Sequence, residues 1–153
     1  MKVLLICQAN ACRGPFAEQL VRTIGPRQVD AVSAGTHADP GGTASWQSIV
    51  AARAHGLDLS VHRRQPVRPD LIESADRIYV FDRRQRQFLT EHYPDVAARA
   101  ALLGEIRGGP GGEIPDPQTG SAEDLDLCYQ MIDIACRALV ADISHAADPP
   151  AGA

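Results

Sequence analysis

No apolar run in the 153-residue sequence approaches the roughly 18–20 residues that a bilayer span requires, so a transmembrane helix is not expected. The apolar opening Met1–Cys7 is too short for a secretory leader and has no small-residue cleavage site after it. The expectations are a cytoplasmic location and no membrane partner. Positive charge is not in excess either: 15 Lys and Arg stand against 19 Asp and Glu, a formal charge of −4. That excludes the global basic field that grips nucleic acid. The four cysteines form no CxxC and no Cys/His spacing that suits zinc, so neither a metal nor a cofactor is expected. Aromatic residues make up only 5%.

Apolar residues make up 44%, enough for the core of one domain. The domain is predicted over residues 1–146, with a flexible tail at 147–153. Gly and Pro punctuate the chain into alternating segments. Residues 3–6, 29–34 and 77–81 read as strands, and 101–103 as either a strand or a helix end. Helices are predicted over 15–24, 45–55, 83–92 and 121–144. The Gly/Pro-rich stretch 104–120 reads as a long ordered loop or lid. The fold class is α/β: a single domain with a four-stranded parallel sheet and helices on both faces. Ligands of such sheets bind at the carboxyl ends of the strands, which points to the turn after the first strand.

That turn reads Cys7-Gln8-Ala9-Asn10-Ala11-Cys12-Arg13-Gly14-Pro15. It sets a cysteine at a strand's carboxyl end and an arginine six positions later at a helix start. The five residues between can wrap their N–H groups around one tetrahedral anion. The same field lowers a thiol pKa, and a guanidinium matches two phosphate oxygens. The competing reading makes Cys7 a small core residue and Arg13 a surface one. Later, Asp116 stands between Pro115 and Pro117: either a turn former or a rigidly held general acid. Trp46 reads as a core residue of the helix that holds it. Arg63, Arg64, Arg68, Arg77, Arg83, Arg84 and Arg86 make a basic middle, read as a solvated face or a docking surface.

Several spaced motifs resemble the low-molecular-weight protein tyrosine phosphatases. They are the C-x5-R loop with Asn10, Cys12 and Pro15; Ala17-Glu18; Ser33-Ala34-Gly35-Thr36; His55-Gly56-Leu57-Asp58-Leu59-Ser60 with His62; Tyr79-Val80-Phe81-Asp82; and Pro115-Asp116-Pro117. The resemblance runs over residues 1 to about 145. It implies a cysteine-dependent phosphatase forming a phosphocysteine, with Cys7 as nucleophile, Arg13 as phosphate clamp and Asp116 as acid and then base. Gln8, Ala9, Asn10, Ala11, Cys12 and Gly14 would bind phosphate, with Asn10, Ser33 and His62 shaping the loop. Cys12 is either a redox partner of Cys7 or a packing residue. The implied partner is a phosphorylated protein or a small phosphorylated molecule, and the protein a monomer or weak dimer.

The sequence also departs from that family. Gly14 replaces a Ser or Thr whose hydroxyl helps the thiolate leave. Ala9 replaces a glycine, which is strained if φ is positive there. The loop His37-Ala38-Asp39 and the pair Gln118-Thr119 lack the aromatics that flank a phosphotyrosine ring. The alternatives are a catalytically impaired phosphate-binding module, or a phosphatase specialised for a small metabolite or phosphoarginine. Arsenate reduction is disfavoured, because Cys128 and Cys136 lie eight apart in one predicted helix, about 12 Å along its axis. That exceeds disulfide reach, and both read as core.

Overall fold

Short apolar segments build one parallel sheet in the order β2-β1-β3-β4. The computed structural model describes residues 1–117 and 120–147. The strands are β1 (Lys2–Cys7), β2 (Asp30–Gly35), β3 (Arg77–Val80) and β4 (Ala100–Leu102). The helices are α1 (Arg13–Ile24), α2 (Trp46–Ala54), α3 (Pro69–Ser74), α4 (Arg83–His92), α5 (Pro94–Ala97) and α6 (Ala122–Ala147). Residues along β1 alternate between two cores. Val3, Leu5 and Cys7 face a cluster built with α1, α2 and α6, whereas Leu4 and Ile6 face one that includes Leu71, Ile72 and Leu89 of α3 and α4. Both faces are covered, as a parallel sheet requires.

β1 pairs with β2 on one side and β3 on the other, so the order reverses at its carboxyl end. That end is where an open α/β sheet holds its ligand. The backbone there is pinned: the Thr36 N–H donates to the Cys7 carbonyl at 3.0 Å and the His37 N–H to the Gln8 carbonyl at 2.8 Å. Gly35 lies against the same turn, where a Cβ would come 2.5 Å from the Gln8 carbonyl oxygen and 2.9 Å from the Asn10 nitrogen.

Several expectations need correction. α1 begins at Arg13, two residues before Pro15. The undecided 101–103 stretch is β4 followed by a single 3-10 turn at Leu103–Glu105. The short helices α3 and α5 were not expected, although Pro69 and Pro94 each stand at a first helical position. α6, expected over 121–144, runs over Ala122–Ala147. Ser121 and Asp124 start this helix by reciprocal bonds, the Ser121 N–H to Asp124 at 2.9 Å and the Asp124 N–H to Ser121 at 3.2 Å. Cys128 and Cys136 are buried on α6, as expected. Trp46 is not in the core: it is 69% exposed on the first turn of α2. Gln118, Thr119 and the expected tail from 148 lie outside the described residues.

Gly35→Ala should lower stability by about 1–3 kcal/mol through overpacking and weaken phosphate binding, since relief must come from moving the turn after β1. Denaturation with and without inorganic phosphate measures both effects.

Candidate active site

The Cys7–Arg13 loop closes around Asn10, which is fully buried with φ +53°. Among the described residues it is the sole non-glycine with positive φ. The strain expected at Ala9 is therefore absent there and sits one residue later, where asparagine tolerates the left-handed region. Three contacts hold Asn10. Its Nδ2 donates to Ser33 Oγ at 2.9 Å, its Oδ1 accepts from the Gln65 N–H at 2.9 Å, and its carbonyl meets His62 Nε2 at 3.0 Å. Ser33 is fixed in turn by Glu18, which accepts from both its N–H and its hydroxyl, and by Gln65 Nε2, which donates to its carbonyl at 2.9 Å. Burial lowers the His62 pKa, against the raising effect of the Asn10 carbonyl. The neutral ring then serves as donor to that carbonyl.

Arg13 opens α1 with its side chain only 2% exposed. Its Nη1 donates to Asp82 Oδ2 at 2.8 Å and to the Ile114 carbonyl at 2.9 Å. Nη2 lies 3.5 Å from Asp116 Oδ2. Asp82 follows β3 and also caps α4, accepting from the Arg84 N–H at 2.9 Å while the Gln85 side chain caps back. Burial alone would raise the Asp82 pKa, but Arg84 and Arg13 hold it well below the usual carboxylate range.

At the bottom of the loop Cys7 is buried. Burial pushes its thiol up. The charge of Arg13 and the N–H groups of Gly14 and Asn10, which reach the sulfur, pull it down without overcoming burial. The sequence expectation of a depressed thiol pKa accounted for the loop's field and omitted desolvation. Cys12 makes a weak contact from Sγ to the Tyr129 hydroxyl at 3.8 Å, and that hydroxyl donates to the Cys12 carbonyl at 3.2 Å. Both Cys7 and Cys12 are free thiols.

One cavity of about 620 Å³ is lined by Cys7, Gln8, Ala9, Ala11, Cys12, Arg13 and Asp116, together with Arg64, Trp46 and residues of α2 and α6. Asn10, Ser33 and His62 stand behind the loop rather than in the cavity. No group of three or more His, Cys, Asp or Glu among the described residues is placed to hold a metal ion. None of the helices among them is long and apolar enough to cross a membrane. Asp82, Gln65 and Trp46 were not expected at the site. The position of Asp82 at a strand end just before a helix was a readable signal, whereas Gln65 carried none. Four residues of the basic middle are spoken for by Asp70, Asp142, Glu113 and Asp82, the partners of Arg68, Arg77, Arg83 and Arg84.

A strand, an anion-sized loop and a buried arginine in this order match the profile of the low molecular weight phosphotyrosine protein phosphatases over residues 2–148. The chain belongs to that family. It is a cysteine-dependent phosphatase, a phosphoric monoester hydrolase. Its sequence is 32% identical over 130 residues to the probable low molecular weight protein-tyrosine-phosphatase EpsP of Ralstonia nicotianae, covering 85% of this chain and 87% of that one. It is 29% identical over 126 residues to the protein-arginine-phosphatase of Bacillus subtilis, covering 80% and 83%. A solved structure of the arginine phosphatase YwlE superposes with a TM-score of 0.86 at 26% identity, covering 94% and 96% of the two chains. In that structure a serine replaces the active-site cysteine and is phosphorylated.

For this phosphatase, Asp82→Asn should cost about 3 kcal/mol near neutral pH, because the buried Arg13 charge loses its counterion. A depressed carboxyl pKa stabilises the fold above the unfolded value of about 4 and loses that contribution as pH falls toward the native value. The difference between wild type and variant should therefore shrink on acidification below about pH 4. Urea midpoints from pH 3 to 7 measure it.

Proposed function

We propose that this phosphatase dephosphorylates a phosphorylated side chain of a protein in the cytoplasm, acting as a monomer or weak dimer, with Cys7, Arg13 and Asp116 as its catalytic residues. The observation that carries the reading is their convergence. Cys7, the loop residues Gln8, Ala9, Ala11 and Cys12, Arg13 and Asp116 all line one cavity, with Arg13 and Asp116 3.5 Å apart. The protein class of substrate is supported by the named activities of the relatives, one acting on phosphotyrosine and one on phosphoarginine.

In the first step Cys7 loses its thiol proton to the entering phosphate dianion and its sulfur attacks phosphorus in line, and the S–P bond forms as the bond to the leaving group breaks. Asp116 gives its proton to the leaving atom. Gln8, Ala9, Asn10, Ala11, Cys12 and Gly14 frame the equatorial oxygens through the loop, and Arg13 neutralises their charge. In the second step Asp116 takes a proton from water and the water oxygen bonds to phosphorus. The S–P bond then breaks, returning the thiolate and releasing inorganic phosphate. The Asn10 side chain, Ser33 and His62 position the loop without touching the reacting atoms. Cys12 stands next to the nucleophile's loop as a candidate disulfide partner that would shield Cys7 from over-oxidation.

Gly14 is where the two steps part. A Cβ built there lies 3.0 Å from Cys7 Sγ, so a serine hydroxyl at this position would reach the sulfur and stabilise it as a leaving thiolate. With glycine, that donor is missing from the second step, and phosphoenzyme should accumulate. This observation also supports the impaired-turnover reading, in which the loop binds phosphate but releases it slowly.

Turnover of p-nitrophenyl phosphate in reductant should vanish in Cys7→Ser and fall on the order of 10²-fold or more in Asp116→Asn. Acid quenching of the wild type should trap phosphocysteine. Gly14→Ser should raise the steady rate by about tenfold or more and reduce the trapped fraction. Turnover that survives Cys7→Ser would overturn the assignment.

A further inference from the structure

The cavity does not end at the catalytic loop. It continues along α2, whose Trp46, Val50 and Ala54 all line it and follow at i, i+4 and i+8 on one helix face. Trp46 is 69% and Val50 56% exposed. Ala51 of α2 and Leu125 of α6 line the same channel. The stripe is about 12 Å long, more than one phosphorylated side chain can cover. It is also rigidly indexed to the chemistry. The Ser45 N–H donates to the Ala11 carbonyl inside the loop at 3.0 Å, and Ser45 Oγ accepts from the Ser48 N–H at 3.3 Å to cap α2. Trp46 is thus the residue immediately after an anchor on the loop that holds the phosphate.

Resting on the phosphatase reading above, we propose that this face of α2 is a specificity subsite. It takes a large apolar side chain next to the phosphorylated residue of a polypeptide substrate, with Trp46 as its main wall. The occupant follows from continuity and shape. The stripe opens from the catalytic cavity itself, so whatever lies on it is covalently continuous with the phosphate. Neighbouring residues of an extended chain advance about 3.3–3.6 Å each, so one or two positions beyond the phosphorylated residue span the stretch from Trp46 to Val50. A small polar metabolite has no apolar surface to cover this stripe, and exposed apolar patches of this kind mark interaction sites. A tryptophan face offers a large contact area at small entropic cost.

The test uses phosphotyrosine peptides of one length that differ only in carrying Leu or Phe, or else Ser, within two positions of the phosphorylated residue. The readout is the ratio of kcat/KM between apolar and serine peptides within each protein, so that general effects of a substitution cancel. In the wild type an apolar flank at the favoured position should raise kcat/KM about tenfold, chiefly through KM. Trp46→Ala should bring the ratio close to one, Val50→Ser should lower it partly, and Trp46→Phe should retain it. A wild-type ratio near one, or a ratio unchanged in Trp46→Ala, overturns the subsite. Self-association that Trp46→Ala abolishes, together with a flat peptide ratio, would assign the stripe to a second copy of the chain instead. Absence of p-nitrophenyl phosphate turnover would overturn the catalytic reading alone. The same peptide ratios are then read as dissociation constants by fluorescence anisotropy, with the same expected and overturning values.

Discussion

The buried Arg13–Asp82 pair is the constraint around which the rest of the site is arranged. A guanidinium with almost no exposure costs several kcal/mol to desolvate unless a charge and hydrogen-bond acceptors meet it. Asp82 from the end of β3 and the Ile114 carbonyl from the late loop meet it at 2.8 and 2.9 Å. The two contacts come from chain segments 69 and 101 residues away in sequence, so the helix that carries Arg13 is tied to the sheet and to the late loop that holds Asp116 together. The consequence for function is geometric. Nη1 is consumed by structure, while Nη2 lies 3.5 Å from Asp116, which lines the cavity with Arg13. Asp82 also starts α4 as its N-cap, so the same carboxylate neutralises Arg13 and orders a helix.

The second constraint is backbone direction. A loop whose N–H groups converge on one point must turn tightly, and here the turn is made by a non-glycine residue in the left-handed region. Asn10 bears that conformation because every polar atom of its side chain is engaged, by Ser33 and by the Gln65 backbone. Glu18 and His62 complete a polar layer between α1 and the loop. The layer stabilises an anion-binding shape rather than an anion, so the fold holds the cradle in place before any ligand enters.

Much of this was legible in the sequence, and what was not has identifiable physical causes. Alternating segments and the Cys-x5-Arg spacing carry local signals, and they located the sheet and the turn after β1, while the proline-flanked Asp116 lines the cavity at that turn. Asp82 as the Arg13 counterion is a pairing across 69 residues, which periodicity does not encode, although its capping position was visible. The Cys7 thiol differs from expectation because the loop's field is written in the local sequence, whereas desolvation depends on everything packed around the sulfur. Strain was expected at Ala9 and lies at Asn10, because the register of a turn is set by its side-chain partners. Trp46 reads as core from the sequence because it lies within a helix, and only the tertiary course of α2 shows its side chain exposed and lining the cavity.

Specificity and chemistry are separable in this molecule, and the separation explains the pattern of its departures from the family. The groups that hold phosphate sit on the loop between β1 and α1 and are locked by buried polar bonds. A change among them propagates through Asn10, Arg13 or both. The groups proposed to meet the rest of the substrate sit on α2, whose N-cap Ser45 donates to the Ala11 carbonyl of the loop and whose Trp46 and Val50 are exposed. Substitutions on that face cost little stability, so it can be re-cut without disturbing the cradle. The aromatic surface missing from the loop after β2 and present at Trp46 fits that division. Gly14 is the exception, a change inside the cradle at a position within 3.0 Å of the sulfur. In the proposed mechanism its effect falls on the release of phosphate from Cys7, the step in which the identity of the substrate no longer matters.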